Sequence, residues 1–455
     1  MQQLSGKPEA TQGNGREQHV YPPARQGWYA VGVLALTTAL AHLDQGILSL
    51  LIQQIIEDFS LTDTQASLLL GPAFAFVYVL VGIPLSPLID RWVRKRIIAI
   101  GVTVWSLATA ACGLAGSFGQ LFAMRMLVRA GESLNGATSY SIVSDYFPRN
   151  VLPRAVYRLQ IGAVAGNGLS LLLGATMISI LAAIGTPSLP FVGKLRPWQV
   201  VLMAVGLPGV LVALLLTTVK EPPRRSFREP KVSSVPVVGA LRYMWLHISV
   251  FGPLFLGLTL GALDAAGRAW GAPFFERTYG WGPATYGLVA GSLAIVAMLL
   301  GLWLGSRWID RLQAEGHLDA PFRIIISTRA LNIPFAIAMP IMPTPELSMA
   351  CYAVTFMLLG MNGPMMNAVM LIVTSSQVRG QVMALYLFIF TIVGSGIGPV
   401  ITGLTTDYVF TSPDALRWSI LLLHILFLPA TLAVTLLGWK PYRREVERLN
   451  REEAE

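Results

Sequence analysis

The chain has 455 residues, of which 54% are hydrophobic and only 13% charged, and its formal net charge is +9. About a quarter of the residues of a typical soluble domain are charged, so this composition excludes a disordered chain and argues against a soluble multidomain enzyme. A bilayer span needs about 20 apolar residues, and a mean hydropathy of +0.60 over this length is enough for roughly a dozen spans. The two cysteines, Cys112 and Cys351, lie in separate apolar runs, which predicts neither a disulfide nor a metal site.

Twelve apolar stretches follow a polar N-terminal tail, residues 1–27, that lacks the pattern of a signal peptide. The predicted spans are at about 28–52, 66–88, 97–116, 119–141, 158–182, 199–219, 246–271, 284–306, 323–343, 347–372, 381–404 and 416–438. The charged, proline-containing segment 220–245 divides them six and six, as a linker would. We therefore predict an all-α membrane protein with twelve transmembrane helices in two six-helix bundles, 28–219 and 246–438, and a C-terminal tail, 439–455.

Basic residues are distributed unevenly between the two predicted sides of the membrane. Four arginines fall inside predicted spans: Arg125, Arg129, Arg268 and Arg329. One side carries only Lys194, Arg196, Arg277 and Arg417. The rest of the 33 Lys and Arg residues lie in the tails and loops of the other side. That side is cytoplasmic by the positive-inside rule, so both termini are predicted to be cytoplasmic. The basic charge is thus a topology signal, and no segment is long enough to form a soluble basic face for nucleic acid.

The two halves of the chain repeat a pattern at an offset of 220 residues. The loop after span 2 reads Ser86-Pro-Leu-Ile-Asp90-Arg91, and the loop after span 8 reads Ser306-Arg-Trp-Ile-Asp310-Arg311. The same offset carries Asp44 in span 1 onto Asp264 in span 7. Two parallel six-span repeats are typical of one large class of secondary transporters, in which the substrate site lies at the repeat interface near the bilayer midplane.

The loop after span 2 continues as Asp90-Arg91-Trp-Val-Arg94-Lys95-Arg96. It resembles the loop signature of the major facilitator superfamily, with Ser86 and Val93 in place of two glycines. Within that superfamily the chain resembles the bacterial spinster-like transporters over about residues 28–438. The matching residues are Leu43-Asp44, Leu61 to Leu69, Trp105-Ser106, Arg125, Gly131-Glu132, Asp145 to Pro148, Trp270, Pro273, Arg277, Tyr279-Gly280, Arg379 to Gln381 and Gly396 to Pro399.

Gln45 and Arg129 depart from the family pattern, where Arg and Gly are usual, and they change the charge of the site. The resemblance implies proton-linked movement of lysophospholipids or sphingoid phosphates. It also implies that spans 1 and 4 line a central cavity.

Ionisable side chains at bilayer depth are functional candidates, because each costs about 2.5–3.5 kcal/mol on insertion scales. Arg125, Arg129 and Glu132 lie on one side of span 4, and Asp44 of span 1 is level with Arg125. We predict a charge ladder of Asp44, Arg125 and Glu132 that couples transport to protons. When substrate or a rocking motion draws Arg125 away, Asp44 takes up a proton, and Glu132 is a second candidate carrier. The alternative is a static salt bridge between spans 1 and 4.

In the second half, Asp264 and Arg268 are spaced i, i+4 and are predicted to pair with each other in a structural role. Arg329 is expected to snorkel or pair locally. His42 and His424 are expected to be packing residues rather than proton relays.

Met357, Met361 and Met365 form a stripe on span 10. Such a surface adapts to varied apolar ligands, so we predict a cavity wall for an acyl chain, and ordinary helix packing is the alternative. Arg129, Asp264 and Arg268 complete the predicted substrate cavity.

A conformational switch is predicted at the cytoplasmic loops. A carboxylate at the end of span 2 opposes the helix dipole, so Asp90 is expected to contact Arg94 or Arg154. Asp310 is expected to do the same in the second half. The predicted switch set is Asp90, Arg91, Arg94, Arg154, Asp310 and Arg311.

The chain shows no phosphate-binding loop, zinc-protease motif or lipase motif, so neither a cofactor, a metal nor an enzyme activity is predicted. We predict a monomeric, proton-coupled secondary transporter of the inner membrane that works by alternating access on an amphipathic anion. Two alternatives stay open. One is a transporter of drugs or small organic anions, and the other is an uncoupled facilitator or transporter-like sensor.

Overall fold

A computed structural model describes residues 21–71, 77, 80–81, 92–148, 151–189, 193–223, 237–375 and 378–454. The first half contains α1 (Ala24–Phe59), α2 (Asp63–Leu70), α3 (Arg94–Cys112), α4 (Phe118–Glu132), α5 (Gly136–Tyr146), α6 (Leu152–Ile184) and α7 (Pro197–Thr217). The second half contains α8 (Val237–Leu246), α9 (Ile248–Ala265), α10 (Gly271–Tyr279), α11 (Pro283–Ala314), α12 (Ala320–Ala338), α13 (Pro345–Val373), α14 (Arg379–Phe390), α15 (Gly398–Leu404) and α16 (Leu416–Ala454). A two-residue antiparallel pair, β1 (Ser188–Leu189) and β2 (Gly193–Lys194), lies in the loop between α6 and α7.

The predicted all-α class is confirmed, and ten helices of the described chain are long and apolar enough to cross a membrane. Two predicted spans are not among the ten. Most of span 2 falls outside the described residues. A turn at 133–135 divides span 4 into α4 and α5, and neither helix alone is long enough to cross a membrane.

Two of the predicted spans change helix type in mid-membrane. Span 7 passes from α9 through a 3₁₀ segment, Ala266–Trp270, into α10. Span 11 passes from α14 through a π-helical segment, Thr391–Ile397, into α15. Such interruptions inside helices are frequent at functional sites. They place Arg268 and Gly394 on non-α backbone beside the interface of the two halves.

Glycines let helices approach closely within each half. A Cβ at Gly162 of α6 would lie 2.1 Å from the carbonyl oxygen of Ala35 in α1, and Gly166 makes the same approach to Ala39 one turn later. In the second half, a Cβ at Gly301 of α11 would lie 1.9 Å from the carbonyl oxygen of Met357 in α13. These pairs meet through backbone, as small residues allow in membrane helices.

We expect Gly301→Ala to destabilise the protein by about 1–3 kcal/mol, because the added methyl group forces α11 and α13 apart. Thermal unfolding of the purified protein in a neutral detergent measures the effect. Gly32→Ala is the matched control, because no atom lies within 4 Å of a Cβ at that position of α1. Equal melting temperatures for the two variants would contradict the close contact.

The two halves meet along α6 and α11. A Cβ at Gly287 of α11 would lie 2.7 Å from the carbonyl oxygen of Leu171 in α6. Gly168 of α6 faces Ile295 of α11, deeper in the membrane. By the predicted topology, the Gly287 contact lies on the outer side, so the halves are held together there.

On the cytoplasmic side, Asp319 ties the start of α12 to α16. Its carboxylate accepts hydrogen bonds from Trp439 Nε1 at 2.7 Å and from Arg323 Nε at 2.8 Å. Burial would raise the pKa of Asp319, but these two hydrogen bonds outweigh burial and hold the pKa below its usual value. A lowered folded pKa adds stability that is lost only as the pH falls through that low value, so this acid does not titrate near neutral pH.

Candidate functional site

A central cavity of about 400 Å³ lies between the two halves. Its walls come from eight α-helices and from the interrupted segments of spans 7 and 11. First-half lining residues include Gln45, Ser49, Leu70, Arg129, Asn167 and Ser170. Second-half lining residues include Arg268, Tyr286, Met298, Tyr352, Phe356 and Ser395. The position between the halves is the one that the sequence repeat predicts for a substrate site.

A buried ion pair joins α1 to α4 beside this cavity. Arg125 Nη1 lies 2.9 Å from Asp44 Oδ2, and the two residues are 0% and 3% exposed. Thr109 of α3 donates a hydrogen bond of 2.9 Å to Asp44 Oδ1. Asp44 is the one acid within ion-pair distance of Arg125 among the residues that the structure describes. The structure thus brings together the two residues that helix depth alone places at one level.

Glu132 pairs with a different arginine from the one in the predicted ladder. Its Oε2 lies 2.5 Å from Nη1 of Arg129, and both side chains are buried. The spacing is i, i+3, and α4 ends at Glu132, so the last turn of the helix closes this contact. The continuous ladder is therefore wrong: the span holds two separate pairs, Asp44–Arg125 and Arg129–Glu132. Arg129 also lines the central cavity, where it was predicted to lie.

The predicted pair of Asp264 and Arg268 is wrong. Asp264 Oδ1 lies 2.6 Å from Nδ1 of His424 in α16, so His424 is a hydrogen-bond partner of Asp264 rather than a packing residue. The α-helical i, i+4 geometry fails because α9 ends at Ala265 and Arg268 follows on the 3₁₀ segment. Arg268 makes no ion pair with the described residues, and its side chain is exposed to the cavity.

The methionine stripe lies away from the central cavity. Met357 and Met361 pack on Gly301 and Gly305 of α11, and Met365 packs against an apolar cluster at the cytoplasmic end of the second half. Its prediction as a wall of the central cavity is therefore wrong. Met357 and Met361 pack against α11 and line a separate pocket between α11, α12 and α13. The glycines of α11 let the backbone of α13 approach so closely that the methionine face of α13 forms the contact between the two helices.

A different face of α13 lines the cavity instead. Tyr352, Phe356 and Leu359 follow one another at i, i+4 and i+7, and all three contact the cavity. The aromatic spacing on span 10 was a signal for this face in the sequence.

An outer latch, which we define as Gln53, Asp63 and Arg277, joins the two halves. The guanidinium of Arg277 in α10 makes two hydrogen bonds of 2.7 Å to the carboxylate of Asp63. Its Nε donates a third, of 2.9 Å, to Gln53 Oε1 in α1. Next to it, Asp407 accepts hydrogen bonds from the backbone N–H groups of Asp63 and Thr64 at the start of α2. Sequence reasoning missed this latch, although Arg277 is one of the few cations on the outer side.

The predicted cytoplasmic switch is only partly described. Asp90 and Arg91 lie outside the described residues. Arg94 is buried and contacts Asp145 at 2.5 Å and Glu221 at 2.8 Å, which ties α3 to α5 and to the start of the linker. Arg154 is exposed.

The second-half counterpart of the switch is not formed. Asp310 and Arg311 are exposed on the last turns of α11, and within the described part of the chain neither makes an ion pair. The expectation that Asp310 copies the contact of Asp90 is therefore wrong in this conformation. The helix carries both residues to an exposed surface, where no charged partner among the described residues reaches them.

With the fold and cavity in place, comparison with known proteins decides the family. The family model of the Major Facilitator Superfamily matches residues 34–399. The chain belongs to the major facilitator superfamily. A bacterial homologue of the human lysosomal transporter Spinster, solved in an inward-facing and unoccupied conformation, matches with a TM-score of 0.75 and 24% identity, over 94% of this chain and 98% of that one.

Curated relatives of this superfamily protein are transporters. An "MFS-type efflux pump" of Mycolicibacterium smegmatis is 26% identical over 395 residues, covering 84% of this chain and 85% of the relative. "Protein spinster homolog 1" of Xenopus tropicalis is 23% identical over 422 residues, covering 87% and 76%. The resemblance to spinster-like proteins is thereby confirmed. This protein is a multi-pass membrane transporter, and the relatives that it matches are not enzymes.

Proposed function

We propose that this protein is a proton-coupled secondary transporter that moves an amphipathic anion by alternating access. The observation that carries the proposal is the buried Asp44–Arg125 pair beside a cavity lined by Arg268, which has no ion-pair partner among the described residues. Charges inside the bilayer are costly, and they usually mark substrate or proton pathways.

The pair supports proton coupling because it joins two helices that line the central cavity. Arg125 is fully buried, and its guanidinium is the counter-ion of the Asp44 carboxylate. If the arginine moves to another anion, the buried carboxylate loses its counter-ion and takes a proton. The Arg129–Glu132 pair is a second place for the same exchange, and Arg129 itself reaches the cavity.

Arg268 supports an anionic substrate. The described residues provide it with no ion-pair partner, and it lies at the junction of the two halves with Tyr286, Tyr352 and Phe356 around it. A cation among aromatic side chains fits a ligand that is charged at one end and apolar at the other. Lysophospholipids and sphingoid phosphates have this form.

The chain organisation fits this account. We assign residues 28–219 and 246–438 to two bundles that rock against each other, with a cytoplasmic linker at 220–245 and cytoplasmic tails at 1–27 and 439–455. The protein is proposed to work as a monomer in the inner membrane, with protons and the amphipathic substrate as its partners and without nucleic acid.

A second candidate keeps the mechanism and changes the cargo. The relative of Mycolicibacterium smegmatis is named an efflux pump, and the aromatic wall formed by Tyr286, Tyr352 and Phe356 also suits an apolar drug. An uncoupled facilitator or sensor stands as the alternative to proton coupling.

Transport in liposomes tests the substrate class. We expect reconstituted protein to move labelled lysophosphatidic acid faster when a pH gradient is imposed, and we expect Arg268→Gln to reduce the rate by about 10-fold or more, because a hydrogen bond to a charged group is worth about 1.5–3 kcal/mol. Arg417→Gln is the matched control, since Arg417 on the outer side bonds a carbonyl oxygen of Pro340 and is not a lining residue of the central cavity. Protein-dependent movement of a cationic dye but not of labelled lysophosphatidic acid would favour drug efflux. An unchanged rate in Arg268→Gln would remove Arg268 from the site.

A further inference from the structure

A second cavity, also of about 400 Å³, lies inside the second half of the molecule. It is enclosed by α9, α10, α12, α13, α14 and α16, and none of its lining residues comes from the first half. Arg268, Tyr352 and Phe356 line this cavity as well as the central one, so the two spaces adjoin. We call it the C-terminal cavity. Nothing in the alternating-access account uses it.

Arg329 of α12 projects into the C-terminal cavity. Its Nη1 donates a hydrogen bond to the hydroxyl group of Thr435 in α16. Gly257 and Gly261 of α9 make room for the guanidinium, since a Cβ at Gly257 would lie 3.1 Å from Nη1. Throughout the described residues no acid lies within ion-pair distance of Arg329, and the nearby Asp264 is held by His424. Of the two expectations for Arg329, snorkelling is wrong, because the side chain turns into the bundle, and local pairing holds in the form of the hydrogen bond to Thr435.

The surroundings of Arg329 complete a polar pocket. Asn332 lies one turn along the same helix, and Asn367 and Tyr386 line the cavity from α13 and α14. Amide and phenol groups can donate hydrogen bonds to an anion without adding negative charge. An uncompensated arginine in the bilayer costs about 2.5–3.5 kcal/mol on insertion scales, a cost that a bound anion would offset.

The other end of the C-terminal cavity is apolar. Phe274 and Phe275 of α10 are fully buried there, and Met339, directly after α12, is partly buried beside them. These residues lie toward the outer side, whereas Arg329 lies nearer the middle of its helix. The cavity is therefore polar at one end and apolar at the other, and the two ends are more than a helical turn apart.

We propose that the C-terminal cavity is a second binding site, distinct from the central one, for a phosphate monoester or carboxylate that carries an apolar chain. Arg329 pairs with the anionic group, Asn332 and Asn367 donate hydrogen bonds to it, and the chain extends toward Phe274. Binding at this site requires no proton coupling and no transport, so its test stands apart from the proposed function.

Binding of decyl phosphate to the purified protein in a maltoside detergent tests the proposal. We expect saturable binding by calorimetry, and a Kd about 10- to 100-fold higher for Arg329→Gln, because a charged hydrogen-bonding partner is removed. Arg443→Gln on the exposed end of α16 is the charge-matched control and should bind as the wild type does. Asn332→Leu, which changes only the C-terminal cavity, should weaken binding, whereas Asn167→Leu, which changes only the central cavity, should not.

Each result separates the second site from its alternatives. The melting temperature of Arg329→Gln without ligand should equal or exceed that of the wild type, since an uncompensated charge is lost, and this excludes misfolding as the cause of weak binding. Equal Kd values for the wild type and Arg329→Gln would overturn the proposal. Loss of binding in Asn167→Leu but not in Asn332→Leu would assign the ligand to the central cavity. If inorganic phosphate competed for the site as well as decyl phosphate does, the proposal of an amphipathic ligand would be overturned.

Discussion

Asp44→Asn should abolish gradient-driven transport while leaving exchange of substrate across the membrane at equal pH. Asparagine keeps the size of the side chain and the hydrogen bond with Thr109, but it cannot bind and release a proton. The pH gradient can therefore no longer drive the transport cycle. Uptake with a pH gradient and counterflow without one, measured in the same liposomes, separate the two activities.

Loss of stability must be distinguished from loss of coupling in this experiment. Removing one partner of a buried ion pair costs about 3–5 kcal/mol, because Arg125 is left as an uncompensated charge. The double variant Asp44→Asn with Arg125→Gln removes both charges and should recover the melting temperature without recovering coupling. Asp414→Asn, an exposed acid in the turn before α16, is the control and should transport normally. Gradient-driven uptake in Asp44→Asn would reassign the proton site, with Glu132 the next candidate.

Arg277→Gln should open the outer side of the central cavity. The two hydrogen bonds to Asp63 and the one to Gln53 cross from the second half to the first, and they exist only while the outer ends are together. Loss of interactions worth about 2 kcal/mol shifts a two-state equilibrium by about 30-fold. The population with an open outer side should rise by about that factor.

Ser49 lines the central cavity, and labelling of the cysteine in a Ser49→Cys variant measures this shift. In a background without Cys112 and Cys351, a membrane-impermeant maleimide added from outside should react much faster when Arg277→Gln is present. Asp63→Asn should act in the same direction, because it removes the same contact. Arg417→Gln removes an outer-side cation that bonds only within the second half, so it should leave labelling unchanged. Equal rates in all variants would show that the latch does not hold the halves together.

Sequence reasoning succeeded where one helix geometry extends over the whole segment. Asp44 and Arg125 lie on regular helices, so a rise of about 1.5 Å per residue was enough to place them at one depth. The all-α class followed from hydropathy, and the position of the cavity followed from the repeat of Asp44 at Asp264.

The same reasoning failed where the backbone departs from an α-helix. It also failed where the orientation of a helix determines which of its faces lines the cavity. Arg268 lies on a 3₁₀ segment, which no spacing rule reveals, so the sequence could not show that it fails to pair with Asp264. The methionine stripe has correct helical spacing, yet only the packing of Gly301 on α13 shows which face is inward. The partners Asp63 and Arg277 are far apart in the chain, in different halves, and their contact depends on how those halves dock.

Proton movement on addition of substrate tests the central claim most directly. Liposomes that contain the reconstituted protein and a trapped pH-sensitive dye are prepared at equal pH on both sides, and lysophosphatidic acid is added from outside. The account predicts a pH change in the lumen that depends on the protein and is absent in Asp44→Asn. Substrate entry without any pH change in wild-type liposomes would contradict proton coupling.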